Sequence, residues 1–336
     1  MDTLTHIALG ACIGDALLGK KLGKRAMLLG AVAQSLPDID FMASLWMKPP
    51  ASLLAHRGFT HSILFCCIMA YVLALVAEYI HRPHNIKMRR WVIFFGVELF
   101  IHIFIDAFNN YGVGWFEPFS HYRLSFNAIY VADPFFSLWP GIAFVVLLVL
   151  KKGAKRRGFW WRFGVLLPAF YLAYCLYNKA TVAHDVDKAF AAQHIPHERY
   201  FTTPAPLQNW LWYVVAGNNS GYYVGYRSVF DSKPAIEFTF FPRNDSLLKG
   251  APNSEDVARL IRFSQQFYTL EKWSDTLVFN DLRFGQETGW QNPHEKFVFH
   301  YFLQRGADNL LVVQRGRFEG WNWEIFKSLV NRLEGN

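Results

Sequence analysis

In the stretch "GVELFIHIFIDAFNN" the residues Glu98, His102 and Asp106 follow one another at i, i+4 and i+8. On a helix these side chains stand one above another on a single face. An imidazole and a carboxylate at this spacing can hold one metal ion from consecutive turns. A buried hydrogen-bonded His–Asp pair that merely steadies a bundle is the plainer alternative. Ionisable groups inside an apolar helix are costly to bury, however, and are expected to serve a function. Further donors lie upstream: His6 in "MDTLTHIALGACIG", Asp38 and Asp40 in "SLPDID", and His56 and His61 in "HRGFTHSILF". Nitrogen and carboxylate donors without thiolate suit zinc or manganese hydrolytic centres.

The elements that must position these residues are greasy. Of the 336 residues 52% are hydrophobic and 18% aromatic, while only 18% are charged, which is rich in apolar residues for a soluble protein. Four runs are long enough to cross ~30 Å of hydrocarbon at ~1.5 Å rise per residue. They are "HSILFCCIMAYVLALVAEYI" (61–80), "WVIFFGVELFIHIFIDAF" (91–108), "YVADPFFSLWPGIAFVVLLVL" (130–150) and "WWRFGVLLPAFYLAYCLY" (160–177). Two weaker runs, 3–19 and 26–47, precede them, and Pro37 is expected to end or kink the second. The N-terminal stretch has Asp2 where a signal peptide carries basic residues, so it is expected to stay with the chain.

The formal charge of +8 sits mostly in "KKLGKR", "HRPHNIKMRR" and "KKGAKRRGFWWR", fourteen basic residues in all. The alternate connections hold three: Lys48, Arg57 and Arg123. That bias marks the basic loops as cytoplasmic and is not the footprint of a nucleic-acid groove, so no nucleic-acid partner is expected. It puts residues 48–60, 111–129 and everything beyond 180 on the outer side. By this topology His6, Asp38, Asp40, His56, His61, His102 and Asp106 converge on one outer level of the membrane. Cys12, Cys66, Cys67 and Cys175 all lie in apolar stretches without a CxxC spacing, so neither a disulfide framework nor a zinc–cysteine site is expected.

Beyond residue 180 the pattern turns to strands. "LQNWLWYVVAGNNSGYYVGYRSVF" predicts two strands joined by a polar turn, and "AIEFTFF", "TLVFNDLRF", "KFVFHYFL" and "NLLVVQR" predict more. "SEDVARLIRFSQQFYTLEKW" predicts a helix, with Ser264 the one miss in its apolar stripe, and "WNWEIFKSLVNRLEG" predicts a closing helix ended by Gly335. The expected architecture is an all-α membrane helix bundle over 1–180, followed by a small extracytoplasmic α+β domain over 200–336.

"MDTLTHIALGACIG", "SLPDID", "HRGFTHS" and "HIFIDAFNNYG" together resemble the YdjM-like family of inner-membrane proteins, described as metal-dependent hydrolases. That family is distantly similar to zinc-dependent phospholipase C and single-strand nucleases, whose helical fold binds a zinc cluster. The resemblance covers roughly residues 1–150 and implies a phospholipase C-like helical metal site in the inner membrane. Carried over, His6, Asp38 or Asp40, His61, and His102 with Asp106 match the family's ligand positions. His56 matches the first histidine of its HRGxTHS motif. Those phospholipases and nucleases also use an N-terminal tryptophan, which Met1 does not reproduce. They carry a second HxxxD/E helix, for which this chain offers only "HIPHE" (His194 with Glu198) and "HDVD" at 184–187. One or two ions are therefore expected, zinc first and manganese second.

The resemblance and the donor set imply metal-assisted hydrolysis of an ester or phosphoester such as a lipid headgroup, with membrane lipids as partners. Asp106 would bridge two ions, and Asp38 or Asp40 would supply a second carboxylate. Arg57 would grip a phosphate through its fork, a loop or headgroup contact being the alternative. Ser62 and Thr60 read as helix caps rather than nucleophiles. "GWFEPFSHYRLSFN", with His121 and Arg123, reads as an interfacial aromatic belt, and Asp133 as a ligand-orienting residue or a helix cap. Two other functions compete: a cation path lined by His102, Asp106 and Asp38, against which Glu98 is the only deeper polar residue, and a non-catalytic protein with a structural metal.

Overall fold

The computed structural model describes residues 1–81, 86–233, 235–249, 254–303, 312–314 and 321–335. Arg82 of the second basic loop and parts of "NLLVVQR" lie outside these residues. The chain forms two compact units, Met1–Ala43 with Ala55–Cys175, and Ser44–Leu54 with Leu176–Asn336.

In chain order the helices are α1 (Thr3–Leu22), α2 (Lys24–Ser35), α3 (Pro49–Ala55), α4 (Ile63–His81), α5 (Met88–Asp106), α6 (Pro134–Val149) and α7 (Arg157–Gln193). Asp2 caps α1 by accepting from the Thr5 amide at 3.0 Å. Gly23, at φ +62°, makes the turn into α2, a conformation that favours glycine. As the sequence predicts, α2 stops before Pro37, and a 3-10 helix, Pro37–Leu45, carries the chain on. Asp133 caps α6 by accepting from the amides of Phe135 and Phe136, and the Tyr171 hydroxyl donates to its other oxygen at 3.0 Å.

The helical unit packs through small residues. A Cβ at Gly30 would lie 2.1 Å from the Gly10 carbonyl oxygen, and one at Gly14 would lie 2.3 Å from that of Ala26. Glycine is thus what lets α1 and α2 touch backbone to backbone. On α4 the buried residues are Cys66, Ala70, Ala74 and Ala77, set in one core with Trp91, Phe94, Phe95 and Leu99 of α5. The large residues point the other way: Tyr71, Val72, Leu75 and Tyr79 of α4 are exposed, as are Leu138 and Val145 of α6 and Phe159 and Phe170 of α7. Small residues inside and bulky apolar residues outside invert the pattern of a water-soluble bundle.

Among the described residues two helices, α4 and α7, are long and apolar enough to cross a membrane. The sequence predicts four. α5 matches α4 in length but carries Arg89, Arg90, Glu98 and Asp106, and α6 is only 16 residues long.

The second unit holds two four-stranded antiparallel sheets. The first runs β1 (Arg199–Pro204), β2 (Leu211–Gly217), β3 (Gly221–Ser228) and β4 (Thr239–Pro242), neighbours in sequence being neighbours in the sheet. The second runs likewise through β5 (Tyr268–Trp273), β6 (Thr276–Gln286), β7 (Phe297–Leu303) and β8 (Val312–Gln314). The later part of α7 contributes Val182, Val186, Ala189 and Phe190 to a core with Trp212, Val214 and Ala216 of β2. The predicted helix after Ser254 is corrected: α8 ends at Phe263, Gln265 and Gln266 adopt left-handed conformations, and Tyr268 opens β5. Ser264, the gap in the stripe, marks the end of the helix. The closing helix α9 spans Trp323–Leu333, with Gly335 at φ +94° just past it.

Candidate metal centre

Three elements bring four of the predicted donors together. Asp38 comes from the 3-10 helix after α2, His61 from the 3-10 turn Phe59–His61, and His102 and Asp106 from the last turns of α5. One donor atom from each lies within 4.8 Å of all the others. His61, His102 and Asp106 have no exposed surface, and the Asp38 side chain is 15% exposed, so solvent reaches the group from the side of Asp38. The Nε2 atoms of His61 and His102 face each other at 3.2 Å. Each is 3.6 Å from Asp38 Oδ1, and Asp106 Oδ2 lies 3.5 Å from the first and 3.7 Å from the second.

Asp40 stands behind this group. Its carboxylate receives the Arg57 amide at 2.8 Å and the Thr60 hydroxyl at 2.5 Å, and it faces His61 Nδ1 at 3.2 Å and His56 Nδ1 at 2.7 Å. An imidazole that gives its Nδ1 proton to a carboxylate presents the Nε2 lone pair outward, the usual support of a metal-binding histidine. Of the two aspartates left open by the sequence, Asp38 lies within the four-donor group, and Asp40 contacts the far nitrogen of His61. His56 is corrected in the same way: its ring is turned to Asp40, outside the four-donor group. Thr60 spends its hydroxyl on Asp40 rather than on a helix end, whereas Ser62 caps α4 by accepting from the Phe65 amide at 3.0 Å.

Burial alone would favour the neutral form of both acids, but the imidazoles of His102 and His61 hold the Asp38 carboxyl well below the usual carboxylate range. For Asp40 the same opposition is overcome by His56 and His61. Burial also lowers His56, with Asp40 pulling the other way.

His6 reaches the group from α1. Its Nε2 lies 3.2 Å from Asp106 Oδ1, and its ring stacks on His102 with centroids 3.9 Å apart. The Met1 amino group also donates to Asp106 Oδ1. The two oxygens of Asp106 thus look two ways, one toward His6 and the other toward His61 and His102. Arg57 is corrected as a phosphate grip. Only 3% exposed, it turns its guanidinium inward, 3.2 Å from Asp106 Oδ2, and donates to Asn109 Oδ1 at 2.7 Å and to the Met1 carbonyl at 3.4 Å. Its backbone, at φ +59°, is left-handed, and the hydrogen bond from its N–H to the Asp40 carboxylate helps hold it there.

Other candidates fall away from the site. His121 pairs with Glu117 at the surface, and the buried Arg123 donates to the carbonyls of His56 and Gly112. His194 ends α7 in a left-handed conformation, and no second cluster of possible ligands occurs among the described residues. Gln34 was missed by the sequence reading: it is fully buried, and its Oε1 lies 3.2 Å from His6 Nδ1. Its only signal was an amide inside an apolar segment.

The YdjM inner membrane protein family matches residues 1–182, which include every residue of the cluster. The chain belongs to this family. That membership places it in the inner membrane. Inner membrane protein YbcI of Escherichia coli K12 is 32% identical over 123 residues, 36% of this chain and 69% of YbcI. The uncharacterized protein YfhP of Bacillus subtilis 168 is 27% identical over 173 residues, 46% of this chain and 52% of YfhP. The chain thus spans about half the length of YfhP. No solved structure matches.

The cluster suits a divalent cation. Two imidazole nitrogens stand 3.2 Å apart between two carboxylates, an arrangement rich in acceptors that a cation would satisfy. Two nitrogens and two carboxylate oxygens match the ligand chemistry of zinc or manganese.

Proposed function

We propose that the helical unit is a membrane-embedded, metal-dependent hydrolase of phosphoesters such as lipid headgroups. One observation carries the reading: Asp38, His61, His102 and Asp106, from three separate elements, turn one donor atom each onto a common point. These four would hold the ion, with His6 on the far side of Asp106. When bound, a divalent ion supplies water of lowered pKa and neutralises charge on the ester oxygens. The chain's own residues hold the geometry for that chemistry. Asp40 fixes the His61 ring, Arg57 steadies Asp106, and Asp38, the most exposed of the four, sits where a substrate would enter. Ile39, Phe41 and Met42, on the same 3-10 helix as Asp38, are exposed. An apolar rim beside the opening favours a substrate with a lipid tail.

The proposed topology is multi-pass. α4, α5, α6 and α7 span the bilayer, the basic loops face the cytoplasm, and the sheet domain is extracytoplasmic. The exposed apolar faces of α4, α6 and α7 support this, as does the basic-residue bias of the loops. The decisive experiment is metal analysis of the purified chain, together with headgroup release from mixed phospholipid vesicles. Wild type should hold zinc or manganese and release headgroup, and His102→Ala should lose both. Metal retained in His102→Ala, or release that persists without metal, overturns the reading. Reporter fusions after residue 180 and in the basic connection before α5 test the topology.

A further inference from the structure

The proposed ligand set leaves His6 unexplained, because a neutral imidazole has one N–H and one lone pair and must be told which nitrogen carries which. Its Nε2 faces Asp106 Oδ1, itself an acceptor, at 3.2 Å. If Nε2 carried the proton, His6 would simply donate to Asp106 and be closed to a metal. A proton on Nδ1 instead requires an acceptor there. That acceptor is Gln34, whose Oε1 stands 3.2 Å from Nδ1.

The helix packing explains how Gln34 arrives there. A Cβ at Gly10, one turn after His6, would meet the Gln34 Cγ at 2.5 Å and the Gly30 carbonyl oxygen at 2.6 Å. The bare backbone at Gly10 is therefore the channel along which the Gln34 side chain lies. Glu98 closes the other end: its carboxylate packs against Gly30 and neighbours Gln34, and both residues are wholly buried.

We infer that Gln34 is a positioning residue for the metal centre: its side-chain carbonyl accepts the Nδ1 proton of His6, leaving the Nε2 lone pair beside Asp106 as a metal donor. The inference rests on the metal-centre reading above. It assigns to an uncharged residue of α2 the part that Asp40 plays for His61.

The test is zinc affinity of the full-length, detergent-solubilised chain, measured by competition with a chromogenic chelator. It compares wild type, Gln34→Leu, Gln34→Met, His6→Ala and the double variant of His6→Ala with Gln34→Leu. The two apolar replacements keep the bulk and remove the acceptor, so either serves if the other misfolds. Each should lower zinc affinity by about 10–100-fold, the usual effect of losing a ligand's hydrogen-bonded support. In the His6→Ala background Gln34→Leu should cost nothing more, a coupling that a merely structural role would not give. The exchange of Gln34→Glu with Glu98→Gln, which keeps an acceptor toward His6, should restore affinity to within a few-fold of wild type. Unchanged affinity in both apolar variants, or an equal loss with and without His6, overturns the inference. An exchange variant as weak as Gln34→Leu also counts against it. His102→Ala serves as the separate control: wild-type zinc binding there removes the metal-centre reading itself, and this inference with it.

Discussion

In the sheet unit buried charge meets its opposite. Arg283 donates to Asp281 at 2.7 Å, both side chains being almost wholly buried, and Arg332 closes on both oxygens of Asp231. In the helical unit Asp38, Asp40 and Asp106 crowd around imidazoles, and Arg57 reaches Asp106 only from one side. Fork-to-carboxylate pairs of the first kind are self-sufficient. The cluster of three carboxylates is answered differently, by imidazoles at Asp38 and Asp40 and by the Met1 amino group and Arg57 at Asp106. The same residue types thus do structural work in one unit and prepare a binding site in the other. What separates them is that the carboxylates of the helical site face imidazoles as well as cations, donors that a metal ion could share.

The largest effect expected from this contrast is on metal content. His102→Ala or Asp106→Ala should abolish zinc binding as measured on the purified chain, whereas Asp281→Ala should leave it at the wild-type level. Metal lost equally from all three would erase the distinction. Stability should show the converse. Asp281→Ala leaves Arg283 buried without its carboxylate, and removing one partner of such a pair costs about 3–5 kcal/mol in chemical denaturation.

A smaller effect is expected at Asp40. Asp40→Asn weakens the hold on His61 Nδ1 and should lower zinc affinity about 10–100-fold without abolishing binding. The pH dependence follows from the same residue. The imidazoles hold Asp38 and Asp40 below their unfolded-chain values despite burial. The stability these two contribute is therefore complete above the unfolded carboxylate pKa of about 4 and is lost as pH falls below it. Acid unfolding of the metal-free chain should begin in that range and be shallower in Asp40→Asn. An identical acid profile in both would show that Asp40 does not carry this linkage.

Most of the site could be read from the sequence because its donors are polar residues in apolar surroundings, where their cost makes them conspicuous. The i, i+4 spacing of His102 and Asp106 survives intact because a helix fixes it locally. What could not be read depends on approach between elements. The spacing of "LPDID" does not say which nitrogen of His61 each aspartate faces, since a 3-10 helix turns successive side chains by about 120° and packing decides the rest. Arg57 looked like a phosphate grip because nothing local reveals that its guanidinium turns inward to Asn109. In the sheet domain the β2–β3 hairpin was legible from its turn at Asn218–Ser220. β1 and β5 were not, because one is a short strand after α7 and the other was absorbed into the apolar stripe of α8.

The smallest effect belongs to a pair whose chemistry imitates the site. Glu117 and His121 stand 2.8 Å apart at i and i+4 of the connection between α5 and α6, a carboxylate and an imidazole at the same sequence spacing as His102 and Asp106. The His121 side chain is 62% exposed, so water satisfies either partner when the other is removed. His121→Ala should therefore change stability by less than about 1 kcal/mol in chemical denaturation. It should also leave metal content and affinity as in wild type. A tenfold loss of affinity in this variant would mean that spacing and chemistry suffice without burial. The contrast between the two units would then rest on the wrong variable. If the variant behaves as wild type, what singles out the α5 pair is that two other elements close over it and leave its donors no water to turn to.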